Sequence, residues 1–351
     1  MVVTIRDVAR LAGVSIATVS QALSGNRPVS AVTRAQVIEA AKALGYRPNR
    51  VAVSMVTRKT RTLAVIVPDI ANPFFAALVK AVEGSAVERG YATVACSSEG
   101  NGDLEERYLE LLTDNHVDAL LYVGDHPRLS PRLAELADQG TAVVLIDRVP
   151  DNLAHAFPTV AADNAAGGAL AATHLAGLGH IEIGVVAGPR GLSTSTVRLR
   201  GFRAVLRKSG IVLGAEAVYH ASDFTLDSGV KAVQRVLARY PAITALFCEN
   251  DLIALGAIRV ARQNGLEIPA DLSIVGFDEI FVSSLVTPAL TTIRQPVAEL
   301  GAVAVDIAVQ LSEDRESTHA SVVLPVELVC RESSASAKRP SQAAQTGRRG
   351  S

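Results

Sequence analysis

The stretch Thr4-Ile-Arg-Asp-Val-Ala-Arg-Leu-Ala-Gly-Val-Ser-Ile-Ala-Thr-Val-Ser-Gln-Ala-Leu-Ser24 decides the fold of the N-terminal region. Apolar residues at helical spacing predict a first helix, and Gly13 permits a tight turn after it. Ser15 can cap a second helix that turns Val19 inward. The spacing therefore predicts a helix-turn-helix unit, a motif whose second helix enters the major groove of DNA.

A third predicted helix completes this small head. Ser30 can cap it and Gly45 can stop it. Its apolar stripe consists of Val37, Ile38, Ala41 and Leu44. Residues 50–56 follow Pro48, which breaks the helix, and are too few to form a stable helix by themselves.

The outward residues early in the second helix, which would lie against base edges, are Ile16, Ala17 and Gln21.

The chain has a formal net charge of −1, but its charged residues are unevenly distributed along the sequence. Residues 1–61 hold 10 Lys and Arg against 2 Asp and Glu, whereas residues 62–332 hold 20 against 33. A basic head on an acidic body is typical of a nucleic-acid reader joined to a domain that does not bind DNA. The alternative is a solvated positive face, which charge by itself does not exclude.

Length and composition narrow the class of protein. The 351 residues predict two or three domains, and 49% hydrophobic residues suffice for sizeable cores. Three scattered cysteines indicate neither a disulfide framework nor a zinc site, so no metal and no cofactor is predicted. With no membrane-spanning run and no secretory signal, we expect a cytoplasmic protein. The Ser/Ala/Gln/Gly-rich residues 333–351 predict a disordered tail.

Short apolar runs alternate with amphipathic stretches after the head. The predicted strands are residues 63–67, 92–96, 119–123, 142–146, 183–187, 245–248 and 273–276. The predicted helices are residues 76–89, 104–115, 164–178, 196–208, 227–239 and 252–263. Such alternation predicts an α/β body with helices on both faces of parallel sheets, and seven strands suit two doubly wound subdomains better than one.

Polar residues follow several of these runs directly. They are Asp69, Asp147, the pair Asn250-Asp251, and Asp278. Ligands of doubly wound sheets bind beyond the carboxyl ends of the strands, so the shared position suggests one cleft. For Asp69 or Asp251 taken alone, a helix cap or loop carboxylate is the plainer interpretation.

The chain resembles the lactose-repressor (LacI/GalR) family of bacterial transcription regulators over residues 3–332. The motifs that carry the resemblance are residues 4–20, Tyr46-Arg-Pro-Asn-Arg50 and Ile66-Val-Pro-Asp-Ile-Ala-Asn-Pro-Phe-Phe75. The resemblance implies a DNA-binding head (1–48), a hinge helix and linker (49–61), and an effector-binding and dimerisation domain (62–332) of periplasmic-binding-protein type. Its N-subdomain would span about 62–161 and 292–324, and its C-subdomain about 162–291 and 325–332, joined by three crossovers.

The resemblance also assigns DNA contacts. Phosphate contacts fall on Thr4, Ser15, Thr18, Thr33, Tyr46 and Asn49, base contacts on Ile16, Ala17 and Gln21, and minor-groove contacts on Arg50, Ala52 and Met55. Many relatives have Arg in place of Gln21, whose amide suits adenine rather than guanine. Met55 stands where relatives usually carry a wedging Leu. It can wedge in the same way, or it is a linker residue without a role.

For the body, the resemblance implies a small effector between two lobes. Its contacts would be Asp147, Arg198, Asn250 and Asp278, flanked by the rings of Phe74 and Phe224, although Phe74 suits a core role equally well. Carboxylates accept from paired hydroxyls, and a ring covers an apolar sugar face. The effector would be sugar-like or nucleoside- or purine-like, and the motifs leave open whether it releases or recruits DNA.

The functional prediction is a homodimeric repressor that reads a near-palindromic operator under effector control. Effector closure of the lobes would change whether the two hinge helices can form on DNA. The alternative is a soluble sugar- or nucleoside-binding protein without DNA regulation. An enzyme is not predicted, because the chain contains no GxGxxG after a strand, no P-loop, no GxSxG and no HExxH.

Overall fold

The computed structural model describes residues 3–24, 29–46, 59–114, 117–124, 126, 129–150, 153–314 and 321–338. Contacts divide the chain near Thr62 into a small N-terminal unit and a large C-terminal unit. The predicted hinge residues Asn49, Arg50, Ala52 and Met55 lie outside the described residues.

The small unit contains a bundle of three helices. They are α1 (Ile5–Ala12), α2 (Ile16–Ser24) and α3 (Ala31–Ala43). Gly13 ends α1 in the left-handed conformation at φ 62°, which a glycine adopts without strain. The fully buried Val8, Val19 and Val37, one from each helix, form the centre of the core. The helix-turn-helix prediction is confirmed, but Ile38, predicted in the apolar stripe of α3, is 50% exposed.

The first lobe of the large unit, the N-terminal lobe, is built on a six-stranded sheet of order β11-β5-β4-β3-β1-β2. Its strands are β1 (Thr62–Val67), β2 (Ala92–Ser97), β3 (Ala119–Tyr122), β4 (Ala142–Ile146), β5 (Thr159–Ala162) and β11 (Val322–Leu324). Its helices are α4 (Pro73–Glu88), α5 (Gly102–Asp114), α6 (Ser130–Asp138) and α11 (Val297–Glu313). The pairs β1–β3, β3–β4, β4–β5 and β5–β11 are parallel.

The second lobe, the C-terminal lobe, repeats this plan with the order β12-β10-β9-β8-β6-β7. Its strands are β6 (Ile183–Ala187), β7 (Val218–His220), β8 (Ala245–Cys248), β9 (Ser273–Asp278), β10 (Thr291–Arg294) and β12 (Glu327–Val329). Its helices are α7 (Asn164–Gly177), α8 (Ser193–Lys208), α9 (Leu226–Arg239) and α10 (Asp251–Gln263). The β10–β12 pair is antiparallel, and the other pairs of this sheet are parallel.

Each face of the second sheet has its own core. Val185 and Ala187 of β6 pack on the side of α7 and α8, whereas Val186 between them packs on the side of α9 and α10. This alternation follows from the two-residue repeat of a strand. The fold class of two doubly wound subdomains is therefore confirmed, and the chain passes between the two lobes three times, after β5, β10 and β11.

Two predicted boundaries are wrong. Residues 291–294 form β10 and pair with β9 of the C-terminal lobe, so the boundary placed at 291/292 belongs after Arg294. Residues 333–338, predicted as disordered tail, lie against the C-terminal lobe. The Ser333 side chain is fully buried, and its Oγ accepts from the Thr291 amide at 2.8 Å and donates to the Ile274 carbonyl at 2.6 Å. The rest of the predicted tail, 339–351, lies outside the described residues.

Candidate functional site

The predicted phosphate contacts of the head gather at helix N-termini. Thr4 precedes α1, and its amide and hydroxyl both donate to Asp7 Oδ2, at 3.0 and 2.7 Å. Ser15 caps α2 by accepting from the Thr18 amide at 3.1 Å, and the two hydroxyls are 2.8 Å apart. Because the first amides of a helix have no intrahelical partner, its N-terminus favours anions such as phosphate.

The third helix repeats this arrangement. Ser30 Oγ accepts from the Thr33 amide at 3.1 Å, and the hydroxyls of the two residues are 2.8 Å apart. Thr4, Ser15, Thr18 and Thr33 thus share a position in the first turns of three helices. Tyr46 differs, because it is half-buried and packs against the core of the head.

The predicted base contacts lie on the first two turns of α2. Ile16 and Ala17 are exposed, and Gln21 is half-buried one turn further along. Val19, nearly opposite Ala17 and Gln21 on the helix, is buried in the core, so those two side chains point away from the bundle, while the exposed Ile16 lies at the edge of the buried face. Of the three, only Gln21 carries hydrogen-bonding groups on its side chain.

A cleft in the large unit holds all six predicted effector residues. It encloses about 270 Å³, the part open to solvent included. Its lining comprises Phe74, Asp147, Arg198, Phe224, Asn250 and Asp278, together with Asn72, Phe75, Arg148 and Thr194. Phe74 and Asp147 come from the N-terminal lobe, and Arg198 and Asp278 come from the C-terminal lobe. The cleft is therefore formed between the two lobes.

Two cleft carboxylates occupy strained backbone positions at strand ends. Asp147 directly follows β4 with a φ of 64°, and Asp278 ends β9 with a φ of 112°. Residues other than glycine rarely adopt such values, and each costs about 1–3 kcal/mol. Strain of this kind concentrates at functional positions, so the backbone supports the strand-end prediction for these two residues.

Arg198 is the fixed cation of the cleft. Its Nε donates to Asn164 Oδ1 at 2.7 Å, and its Nη1 donates to the Glu249 carbonyl at 2.6 Å. The guanidinium also lies over the Phe277 ring, with Cζ 3.7 Å from the centroid. These contacts hold the planar donor in one orientation, with Nη1 3.8 Å from Asp278 Oδ1.

Asp278 is buried and accepts a 2.8 Å hydrogen bond from Gln295 Nε2 on Oδ1. Burial raises the pKa of Asp278 well above its usual range, and the nearby charges of Asp251 and Asp147 act in the same direction. Arg198 and Gln295 favour the carboxylate but do not outweigh burial. A hydroxyl donor arriving in the cleft would meet this carboxyl group beside a guanidinium donor.

Aromatic rings close the cleft on two sides. Phe74 and Phe75 meet edge to face, with ring centroids 5.1 Å apart, and the Arg148 guanidinium lies 5.6 Å from the Phe75 centroid. Phe74 combines both roles considered for it, since it lines the cleft and also belongs to the core of the N-terminal lobe. Phe224 lies against Gly188, where a Cβ would come within 2.3 Å of the ring.

Four of the residues that line the cleft were not predicted from the sequence. Asn72 and Phe75 lie in the quoted motif around Phe74, and Arg148 directly follows Asp147, so motif proximity was the available signal. Thr194 stands at the start of α8 and carried no such signal.

Two strand-end carboxylates are absent from the cleft lining. Asp69 Oδ1 accepts from the Ala71 amide at 2.8 Å within its own turn. Asp251 is fully buried and accepts from the Ile280 amide at 2.9 Å and from the Ser283 and Thr292 hydroxyls at 2.7 and 2.5 Å. The plainer interpretation holds for Asp69, whose oxygen closes its own turn. Asp251 is neither a cap nor a loop carboxylate, since it begins α10 and ties this helix to β10 and to the loop at 280–283.

The described residues offer neither a metal-binding cluster nor a membrane-spanning helix. They contain no group of three or more His, Cys, Asp or Glu side chains arranged to hold a metal ion. None of the helices they form is long and apolar enough to span a bilayer.

Comparisons with known proteins cover both units. A family profile described as "Bacterial regulatory proteins, lacI family" matches residues 4–49, and one described as "Periplasmic binding proteins and sugar binding domain of LacI family" matches residues 60–332. The transcriptional repressor PurR of Aliivibrio salmonicida is 36% identical over 94% of this chain and 98% of its own length.

Two solved structures extend the comparison. The lac repressor dimer bound to operator and the anti-inducer ONPF has a TM-score of 0.83 and 30% identity, over 95% of this chain and 100% of that one. A complex of the transcriptional regulator CelR with cellobiose has a TM-score of 0.72 and 33% identity, over 94% of this chain and 99% of that one. The helix-turn-helix head, the two-lobed body and these matches together place the chain in the LacI family, as a DNA-binding transcriptional repressor with an effector-binding domain.

Proposed function

We propose that the protein is a homodimer that binds a near-palindromic operator, and that a sugar-like or nucleoside-like effector in the cleft between the lobes controls this binding. The observation that carries the proposal is the convergence of Asp147, Arg198, Asn250 and Asp278 on one cleft from separate parts of the chain. The cellobiose and ONPF complexes of the two similar proteins support a ligand of this chemistry.

The cleft suits a neutral molecule that carries several hydroxyl groups. Asp147 and Asp278 can each accept from hydroxyls, and Arg198 donates in a planar fork. Asn250 already accepts from the Ile253 amide at 2.9 Å and donates to the Phe224 carbonyl at 3.1 Å, so it presents a fixed amide.

On the DNA side, we propose that Thr4, Ser15, Thr18, Thr33, Tyr46 and Asn49 contact phosphates. Gln21 would hydrogen-bond the major-groove edge of an adenine, while Ile16 and Ala17 would touch thymine methyl groups. Arg50, Ala52 and Met55 would act in the minor groove, with Met55 as the wedge that kinks the duplex. Operators with A·T rather than G·C opposite Gln21 should therefore bind more tightly.

Regulation would pass through the three crossovers between the lobes. Closure on the effector moves the lobes relative to each other and so changes the placement of the hinge segments (49–61) of a dimer. The expected coupling free energy is about 1–3 kcal/mol, and it is reciprocal between DNA and effector. Since its relatives are transcriptional regulators, we infer that the protein has no enzymatic role and that it acts in the bacterial cytoplasm.

Ligand-induced stabilisation tests the cleft. Full-length protein is heated with ribose, cellobiose or adenosine, because a ligand at about 100 times its Kd stabilises the folded state by about 2.7 kcal/mol. Asp278→Asn should abolish the rise in melting temperature. The matched control is Asp69→Asn, which changes another strand-end aspartate outside the cleft and should preserve the rise. Equal loss in both variants would contradict the cleft assignment.

DNA binding tests the regulatory claim. The full-length protein first selects a duplex from a random library, and fluorescence anisotropy then measures Kd with and without the stabilising ligand. We expect a change of about 5- to 150-fold in Kd. Identical Kd values would refute effector control, and failure to select any palindromic duplex would refute operator binding.

A further inference from the structure

A stripe of arginines covers the outer face of helix α8. Thr196, Arg200, Arg203 and Arg207 are exposed and follow one another at intervals of four, three and four residues. Residues three and four apart lie on the same face of a helix, about 5–6 Å from each other. The three guanidinium groups therefore form one continuous cationic edge, which is not part of the effector cleft.

The positive charge of this stripe is only partly compensated, because Arg203 favours the ionised form of the buried Glu249 carboxyl. Within the described ranges, no Asp or Glu forms an ion pair with Arg200, Arg203 or Arg207. Like charges at this spacing repel each other by about 0.2–0.5 kcal/mol per pair. The stripe also stands on a body in which acidic residues outnumber basic ones by 33 to 20. A cationic edge without ion pairs on such a body favours an anionic partner.

The stripe borders a groove with apolar walls. The groove encloses about 1550 Å³, the part open to solvent included, and runs between α8 and the following loop. That loop contributes Ile211, Val212 and Leu213, and the Val212 side chain is 89% exposed. A partner of this groove must therefore offer apolar groups as well as negative charge.

Size and shape select the class of partner. A small anion needs cations that converge on one point, whereas these arginines are spread along about 10 Å of helix. Duplex DNA would supply phosphates but no apolar groups for Val212. We propose that the groove between α8 and residues 211–213 docks an acidic amphipathic polypeptide segment of a partner protein, in the helix-in-groove manner.

A synthetic peptide tests this proposal with the full-length protein. The probe is a fluorescein-labelled peptide of two repeats of Glu-Glu-Leu-Leu-Glu-Ala-Leu, which has one apolar and one acidic face when it is helical. Arg203→Glu should weaken its binding about tenfold or more, and Val212→Asp should weaken it in the same direction. Lys208→Glu is the matched control, since Lys208 is exposed on the same helix but does not line the groove.

Each outcome decides the proposal. Support requires that Lys208→Glu changes Kd by less than about twofold, and that a scrambled peptide of equal composition without an apolar face binds much more weakly. Equal weakening by Lys208→Glu, or equal binding of the scrambled peptide, would reduce the site to general charge attraction and overturn the proposal. Displacement of the probe by nonspecific duplex DNA would show a nucleic-acid surface and also overturn it. Unchanged melting temperatures of the variants exclude unfolding as the cause.

Discussion

The carboxyl group of Glu249 should make the stability of the large unit depend on pH. Glu249 directly follows β8 and is fully buried. Its Oε2 accepts from the Gly188 amide at 2.7 Å and from the Ser195 hydroxyl, whereas its Oε1 has no hydrogen-bond partner among the described residues. Burial raises the pKa of Glu249 to about 7, although Ser195, Gly188 and the charge of Arg198 favour the ionised form.

A carboxyl group with a higher pKa in the folded than in the unfolded chain binds more protons when folded. Its contribution to stability is therefore fully present below the ordinary pKa of 4.5 and is lost as the pH rises to about 7. At about 1.4 kcal/mol per pH unit, the total loss is about 3 kcal/mol, most of it between about pH 5 and about pH 7.

The test compares the wild type with Glu249→Gln, which keeps the shape and stays neutral. Urea unfolding from about pH 5 to about pH 8 should show the wild type losing about 2–3 kcal/mol relative to the variant. Other buried carboxyls such as Asp251, whose pKa burial raises to about 6, affect both proteins and cancel in the difference.

Ser195→Ala removes a hydrogen bond that favours the ionised carboxylate. This variant should therefore lose more stability than the wild type as the pH rises, when each is compared with Glu249→Gln. Parallel stability curves, or a wild type that gains on the variant as the pH rises, would refute the reasoning.

Two further predictions concern packing. Gly201→Ala places a Cβ 2.1 Å from a backbone carbonyl of α7 and should lower the stability of the protein by about 2 kcal/mol or more. Gly84→Ala, with open space around it in α4, should raise the stability by about 0.5–1 kcal/mol. Thermal unfolding of both variants measures the contrast, and equal effects would contradict the close approach of α7 and α8. A chain that ends at Glu332 loses the buried Ser333, so its free energy of unfolding, measured in urea, should fall by about 2 kcal/mol or more. A chain that ends at Lys338 should match the full-length protein. Equal stability of the two truncated chains would contradict the docking of residues 333–338.

The long apolar strands were predictable because parallel strands buried on both faces form continuous apolar runs. The predicted bounds of β4 (Ala142–Ile146), β6 (Ile183–Ala187) and β8 (Ala245–Cys248) agree with the structure. The missed strands β5, β7, β10, β11 and β12 have three or four residues each. β3 and β8 are equally short but are buried throughout, whereas none of the missed strands is, so a continuous apolar run does not mark them.

β10 shows this dependence most clearly. Thr291 and Thr292 are fully buried, although the sequence Thr-Thr-Ile-Arg is not typical of a buried strand. The Thr292 hydroxyl donates to Asp251 Oδ1 at 2.5 Å, and the Thr291 hydroxyl is 2.9 Å from that of Ser334. Partners from distant parts of the chain thus satisfy the buried hydroxyls, so only the structure could place β10.

The sequence by itself determined the three-helix head, the alternation of buried strands with helices, and the polar residues at the strand ends. These features depend on helical and strand periodicity and on capping, which act over a few residues. Only the tertiary structure decided that Asp147 and Asp278 face one cleft while Asp69 and Asp251 do not, and that the carboxyls of Glu249 and Asp278 have raised pKa values. Desolvation and the distance between charges depend on groups that the fold alone brings together.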